Sequence, residues 1–473
     1  MLRSAIAIAL CGILTACSGG GGRDSGGSVV VPPTTNRAPV AGAAIPTQNA
    51  TQDKAFSYAI PSGSFSDPDG DALTLTATRA DGSALPSWLT FGAATLSGTP
   101  DFTDAGSLSI RIQASDGRGG TASSDFTLQI AQAPAIPISL LSYTNFKSVG
   151  LAPQALPSGF EYTDNARGYG DFTGHHRLDM FVASTAKTYA TRSPANYSIY
   201  ERRKDGTLAP SAVRITGADQ GCIVPRKILV ADYNGDGRPD AFVACHGLDE
   251  PPFPGERNTV VLSQSDGSYA ISKASPDVGF FHAAGSMDAN GDGKPDVIAA
   301  GFNGTADIGL LINQGDGSFK RQPGWTMSTN GVFVLDILDV NEDGKPDLLL
   351  GGHEFMAPAR LFLGDGTANF PAITPITLPT VVGEEISVDF LVTGTGATRA
   401  LWVLRAGRLG AGGMPDFSPG RAIQRIAWPS LAQTVPYRDS RTDRGLPWLI
   451  AVTVSGNKVV TSDLLDDMAT PLE

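Results

Sequence analysis

The sequence predicts an all-β protein in two parts, a small sandwich followed by a ring of repeated sheets, and three observations carry that reading. Glycine and proline number 56 and 33 of 473 residues, which favours turns over long helices, while 41% apolar residues still suffice for a core. Short runs alternating apolar and polar residues occupy the early part of the chain. A nine-position acidic loop between two apolar runs recurs in the later part. The formal charge is −12, from 35 basic and 47 acidic side chains. Such a chain is poorly suited to phosphate backbones, so nucleic acid is not an expected partner.

The N-terminus reads as an address. Arg3 precedes the apolar run Ala5 to Leu14, and Leu14-Thr15-Ala16-Cys17 follows. A charged start, a short apolar stretch and small residues before a cut site describe a secretory signal over 1–16, too short for a stable bilayer span. Cys17 behind those small residues resembles the lipobox of bacterial lipoproteins. The resemblance implies cleavage before Cys17, a lipid carried on that residue and a membrane anchor, a cleaved signal with an unmodified cysteine being the alternative. Ser18 next to it implies the outer membrane, on its periplasmic or surface face. Residues 17–35, rich in glycine and serine and then proline, make a flexible tether. Cys222 and Cys245 are the cysteines left to the exported part. They form either a disulfide or two buried thiols.

Residues 36–131 read as a β-sandwich. Ala72–Thr78, Leu108–Ala114 and Phe126–Ile130 alternate apolar and polar residues, and Asp-Gly or Gly-Gly pairs punctuate them, the pattern of half-buried strands. NRAPVAG at 36–42, FSDPDGDALTLTA at 65–77, PSWLTFGAATLSGTP at 86–100 and ASDGRGGTASSDFTLQI at 114–130 resemble a dystroglycan-type cadherin-like domain. The resemblance implies that Asp67, Asp69, Asp71 and Asp116 lie near one end of the sandwich as candidate Ca²⁺ ligands, metal-free acidic turns being the alternative. Residues 132–137, with two prolines, read as a linker.

From 138 to 473 the chain repeats. Residues 227–247, 282–302 and 333–353 align without gaps, each an apolar strand, the loop D-x-N-x-D-G-x-P-D and a second apolar strand. The frame continues with decay at 165–185, 386–406 and 433–453, so first loop positions fall at 171, 232, 288, 339, 392 and 439. Asp205-Gly206, Asp266-Gly267, Asp316-Gly317 and Asp365-Gly366 mark a second hairpin after the first four loops. Two hairpins give four strands per unit, and units of about 50 residues stacked radially make a β-propeller. The repeats resemble the FG-GAP/VCBS repeats of integrin alpha subunits and bacterial surface proteins. That family often has seven blades, and seven are expected here, with a six-bladed ring as the alternative.

The loops are candidate calcium sites. Side chains at positions one, three and five converge when the chain curls, glycine at six permits the turn, and a carbonyl at seven adds an oxygen. The expected ligands are Asp232, Asn234, Asp236 and Asp240; Asp288, Asn290, Asp292 and Asp296; and Asp339, Asn341, Asp343 and Asp347. All-oxygen donors favour a hard cation. An EF-hand does not fit, because its twelfth position needs glutamate and these loops have Val243, Ala299 and Leu350 there. At 171 the replacements Thr173, His175 and His176 remove the site, and the loops at 392 and 439 are poorer still. Closed oxygen cages make the calcium structural rather than catalytic.

Six residues before and after each loop, the strands return to the opposite end. Arg226, His246, His282 and His353 fall there, with Asp249, Glu250 and Glu354 close by. They are candidates for a transition-metal or ligand face, scattered loop histidines being the alternative. Trp402 and Trp448 sit within apolar strands and read as core, whereas Trp325 and Trp428 read as freer for stacking. The expected function is a calcium-binding, membrane-anchored envelope lipoprotein that recognises protein or glycan or acts in adhesion. An extracytoplasmic polysaccharide-acting enzyme, lyase-like on a similar scaffold, is the alternative. No G-x-S-x-G or H-E-x-x-H constellation supports catalysis, so the chain is expected not to be an enzyme.

Overall fold

A computed structural model describes residues 35–138, 165–184, 193–248, 254–302, 307–328, 331–413, 415–439, 452–455, 458–461 and 468–471. The signal segment, Cys17, residues 17–34 of the tether, Asp249, Glu250 and Trp448 lie outside the described residues. Two compact units divide the chain. One comprises residues 1–48, 57–97 and 108–128, and the other 49–56, 98–107 and 129–473. Among the described residues no helix is long and apolar enough to cross a membrane.

Between 35 and 131 the strands form two main sheets. One runs in the order Gln48–Thr51, Thr121–Ala131, Gly106–Ser115, Thr74–Arg79, and the other in the order Phe56–Ala59, Thr95–Gly98, Leu89–Gly92. Period-two alternation decides which face is inward. Ile110, Ile112 and Ala114, with Phe126, Leu128 and Ile130, are buried, while Arg111 between them pairs with Asp125 at 2.7 Å on the outer face.

The second part is the expected propeller. Five sheets have four or five strands, antiparallel throughout except where Ile215–Thr216 adds to the second sheet as a parallel edge beside Tyr269–Lys273. They begin at the strands Asn165–Gly170, Pro225–Ala231, Gly279–Met287, Val332–Leu338 and Ser387–Thr393. A sixth sheet has the strands Val452–Ser455, Lys458–Thr461 and Met468–Pro471. The first strands of successive sheets lie side by side, and the apolar faces between neighbouring sheets form separate cores. Phe181 and Tyr197 meet Ile228 and Val243 at the first seam. Phe242 and Val260 meet Phe281 and Val297 at the second. Because each sheet is covered on both faces, second strands such as Asp179–Ser184 and Asp347–Gly352 are buried along their whole length. That burial is why they read as unbroken apolar runs rather than alternating ones.

Two sequence expectations change. Gln433–Asp439, read as the first strand of a sixth unit, is the outer strand of the fifth sheet, with Tyr437 opposite Ile423. Its mixed residues suit an edge with one covered face, and loop spacing alone cannot tell an outer strand from the next inner one. Trp325 and Trp428 are not free platforms. Both pack against apolar cores, and the Trp325 indole donates to the Ala368 carbonyl at 2.6 Å. Trp402 is core as expected.

Candidate metal centres

Each of the three acidic loops joins the first two strands of a sheet and curls in the same way. The Asp232 carboxylate accepts from the N–H groups of Gly235 at 2.7 Å and Gly237 at 2.8 Å. Asp288 repeats this with Gly291 and Gly293 at 2.7 and 2.9 Å. Asp339 accepts from Gly344 at 3.0 Å. The side-chain oxygen at position three accepts from the N–H at five in every loop, at 3.0, 2.9 and 3.1 Å. The side-chain oxygens at positions one and three therefore cap the N–H groups of one turn, as the spacing requires, while among the described residues the three acids of a loop are not brought within 4.8 Å of one another. In the third loop Oδ1 of Asp339 is buried without a hydrogen-bond partner. An orphaned carboxylate oxygen beside Asn341 and Asp343 fits a hard cation, and the donor set is oxygen throughout.

The ninth position has a further role that spacing did not signal. Asp240, Asp296 and Asp347 are fully buried. One oxygen of each accepts from the N–H at loop position two, at 2.8, 3.0 and 2.8 Å. The other accepts from the end of the third strand or just beyond it, at Ser263, Asn313 and Gly364, at 2.7, 2.8 and 2.8 Å. The ninth carboxylate thus bolts the loop to its own sheet. Burial pushes Asp240 up to about 7 and Asp296 and Asp347 up to about 6, with the other acids of each loop adding to the rise.

The loop at 171 keeps this backbone without the ligand set. Asp171 accepts from His176 at 2.9 Å, and Asp179 accepts from Thr173 and Arg202 at 2.9 and 2.8 Å. Thr173 and His175 stand where the oxygen donors would be, and burial raises the Asp171 carboxyl above its ordinary value. Within the larger unit, Arg177 of this loop pairs with Asp53 and Asp101 at 2.7 and 2.6 Å.

In the sandwich segment, Asp67, Asp69 and Asp71 bring one oxygen each within 4.8 Å of one another. Asp116 is not part of that group; it accepts from Asn36 at 2.8 Å and from the N–H of Arg118 at 2.7 Å. Arg37 pairs with Asp69 and Arg118 with Asp71, so cationic side chains already stand beside the acids there.

The end opposite the loops gathers some of its candidates and not others. His246 and His282 have ring centroids 4.3 Å apart at 75°, and Phe280 stands edge-on to His246 at 5.2 Å. His246 is 3% exposed. Burial first, then the nearby charge of Arg226, pulls its pKa down to about 4. His353 is placed differently, bridged to Ile386 with its ring stacked on Phe355 at 5.3 Å. Cys222 and Cys245 form a disulfide with Cα atoms 5.5 Å apart.

Sequence reasoning missed three buried polar features. Glu256 accepts from the N–H groups of Ile223, Val224 and Gly247 beside that disulfide. Arg405, fully buried, donates to Glu354 and Gln424 at 2.7 Å each, and Ser387 donates to the same Glu354 oxygen. Lys227 in the second sheet reaches Asp336 in the fourth at 2.5 Å. For Arg405, Lys227 and Asp336 the available signal was a lone charge inside an apolar strand, since such a group must find a partner when buried.

Comparison with known proteins agrees with this architecture. Residues 34–131 match the family described as a putative Ig domain, and residues 171–243 and 288–350 match the FG-GAP-like repeat. Two segments of the chain thus resemble an Ig domain and FG-GAP-like repeats. No curated protein matches it. Among solved structures it is similar to an endo-fucoidan hydrolase from glycoside hydrolase family 107, at 17% identity over 50% of this chain and 28% of that one, with a TM-score of 0.22. A second structure of that hydrolase is spanned over 14% of its length. The six-bladed β-propeller lectin of Aleuria aurantia is 12% identical over 64% of this chain and 89% of its own, with a TM-score of 0.37. A protein of unknown function from Bacteroides thetaiotaomicron is 10% identical over 88% and 93%, with a TM-score of 0.34.

Proposed function

We propose that this chain is a calcium-stabilised lipoprotein of the cell envelope, anchored through Cys17, whose propeller recognises a protein or glycan ligand in adhesion. The observation that carries the calcium reading is the repeated loop, three copies of one backbone curl with oxygen donors at positions one, three and five. Asp232, Asn234 and Asp236, with their counterparts in the next two sheets, hold the ion, and the carbonyl at position seven completes the cage. The bound ion offsets the repulsion of carboxylates held within one turn, so its role is to stabilise the fold. The signal and tether support the envelope placement. Three filled loops on one end leave the other end of the ring for recognition.

The test is thermal unfolding of the purified chain with excess Ca²⁺ and with chelator. A site at a hundredfold over its Kd contributes about 2.7 kcal/mol, so chelation lowers the midpoint by several degrees. An unchanged midpoint refutes the calcium reading. Capture of envelope protein or glycan by the Ca²⁺-loaded chain supports recognition. Breakdown products released from a polysaccharide panel refute it in favour of an enzyme.

A further inference from the structure

We infer that His246 and His282 form a binding site for a borderline transition-metal cation such as Zn²⁺, chemically distinct from the oxygen loops at the other end of the propeller. Both rings turn Nδ1 toward a backbone carbonyl, His246 toward Gly247 at 3.2 Å and His282 toward Phe280 at 3.1 Å. A carbonyl only accepts, so each neutral ring carries its proton on Nδ1 and its lone pair on Nε2. Metal-binding imidazoles are oriented in this way by a carbonyl partner.

Geometry adds the second argument. The two rings belong to neighbouring sheets, one just past the end of Asp240–Cys245 and the other within Gly279–Met287, yet their centroids are 4.3 Å apart. Packing of Phe280 against His246 at 5.2 Å limits how that ring can swing away. Nitrogen donors suit zinc, copper or nickel rather than Ca²⁺. Two imidazoles supply two ligands of a zinc shell, and water or an oxygen of an incoming ligand fills the rest. Arg226 opposes any cation at this place through its charge, which tempers affinity and gives the site a specific electrostatic signature.

The experiment titrates the full chain, held oxidised and saturated with Ca²⁺, with Zn²⁺ by calorimetry and with Co²⁺ by visible absorption. One equivalent is expected to bind with nitrogen-ligand absorption. His282→Ala, at a half-buried ring, is the decisive variant and weakens binding at least tenfold. His246→Gln does the same, with circular dichroism checking that it folds. His353→Ala leaves binding unchanged, and Arg226→Gln tightens it severalfold. Failure of the wild-type chain to bind, or unaltered binding in His282→Ala, overturns the inference. Weakened binding in Arg226→Gln also overturns it, since the guanidinium charge would then not be opposing the cation.

Discussion

Positions four and six of the acidic loops sit in the left-handed backbone region. Gly235 and Gly237 have φ of 78° and 80°, and Gly291 and Gly293 have 79° and 82°. The pattern survives where glycine does not, in Glu342 at 63° and His176 at 57°. The curl is therefore demanded by the fold and not only by glycine. A Cβ at Gly237 would meet nothing within 4 Å, so Gly237→Ala isolates backbone strain. It should destabilise the chain by about 1–2 kcal/mol and weaken Ca²⁺ binding, read from urea unfolding with and without the ion. The buried Asp179 supplies a pH prediction free of metal ligands. Burial lifts it from 3.8 to about 6, so between those values the folded chain holds a proton that the unfolded chain has released. The resulting stabilisation is complete below about pH 4 and is lost as pH rises through about 6. Its size is on the order of 2–3 kcal/mol. Denaturation midpoints measured in chelator from pH 4 to 7 should fall across that window; a rise would contradict it.

At the scale of single elements, the sheets are held by apolar faces and pinned by a few buried polar ties. The strand Ala400–Leu409 is buried along its first eight residues although it carries Arg405. Arg405 is admitted because Glu354, Gln424 and the Pro379 carbonyl receive it. Arg405→Met should cost about 3–5 kcal/mol by leaving the Glu354 carboxylate buried without its partner. The double change with Glu354→Gln should recover part of that loss in the same melting experiment. No recovery would mean that the arginine acts by packing alone. The disulfide between Cys222 and Cys245 closes a segment of 23 residues that contains the first strand and the acidic loop of the second sheet. Loop entropy of that order is worth about 3 kcal/mol.

Across the whole molecule the acidic loops also sit at the seams. The carbonyl at loop position two receives a donor from the following sheet in three cases. Tyr269 reaches Phe172 at 3.2 Å, Asn313 reaches Tyr233 at 2.9 Å and Arg399 reaches Val340 at 3.1 Å. Loss of the proposed ion from the 232 or 339 loop would therefore loosen the contact with the next sheet as well as its own turn. The Lys227–Asp336 pair joins two sheets that are not neighbours. Chelation should accordingly remove the sheets in one cooperative transition rather than sheet by sheet, visible as a single calorimetric peak that moves down in temperature. Separate peaks would show that the loops act only locally.

By itself the sequence determined the all-β class, the sandwich strands, the repeat and the three acidic loops. Each of these is written in short-range pattern: period-two alternation, unbroken apolar runs, Asp-Gly turns and a nine-position motif. Only the tertiary structure decided that Gln433–Asp439 is an outer strand, that Trp325 and Trp428 are packed, that the ninth aspartate bolts loop to sheet, and that His246 meets His282 but His353 lies elsewhere. The physical reason is range. A turn or a strand answers to residues a few positions away, whereas edge order, burial and the pairing of a lone charge depend on which distant strands share a face, and local spacing does not encode that.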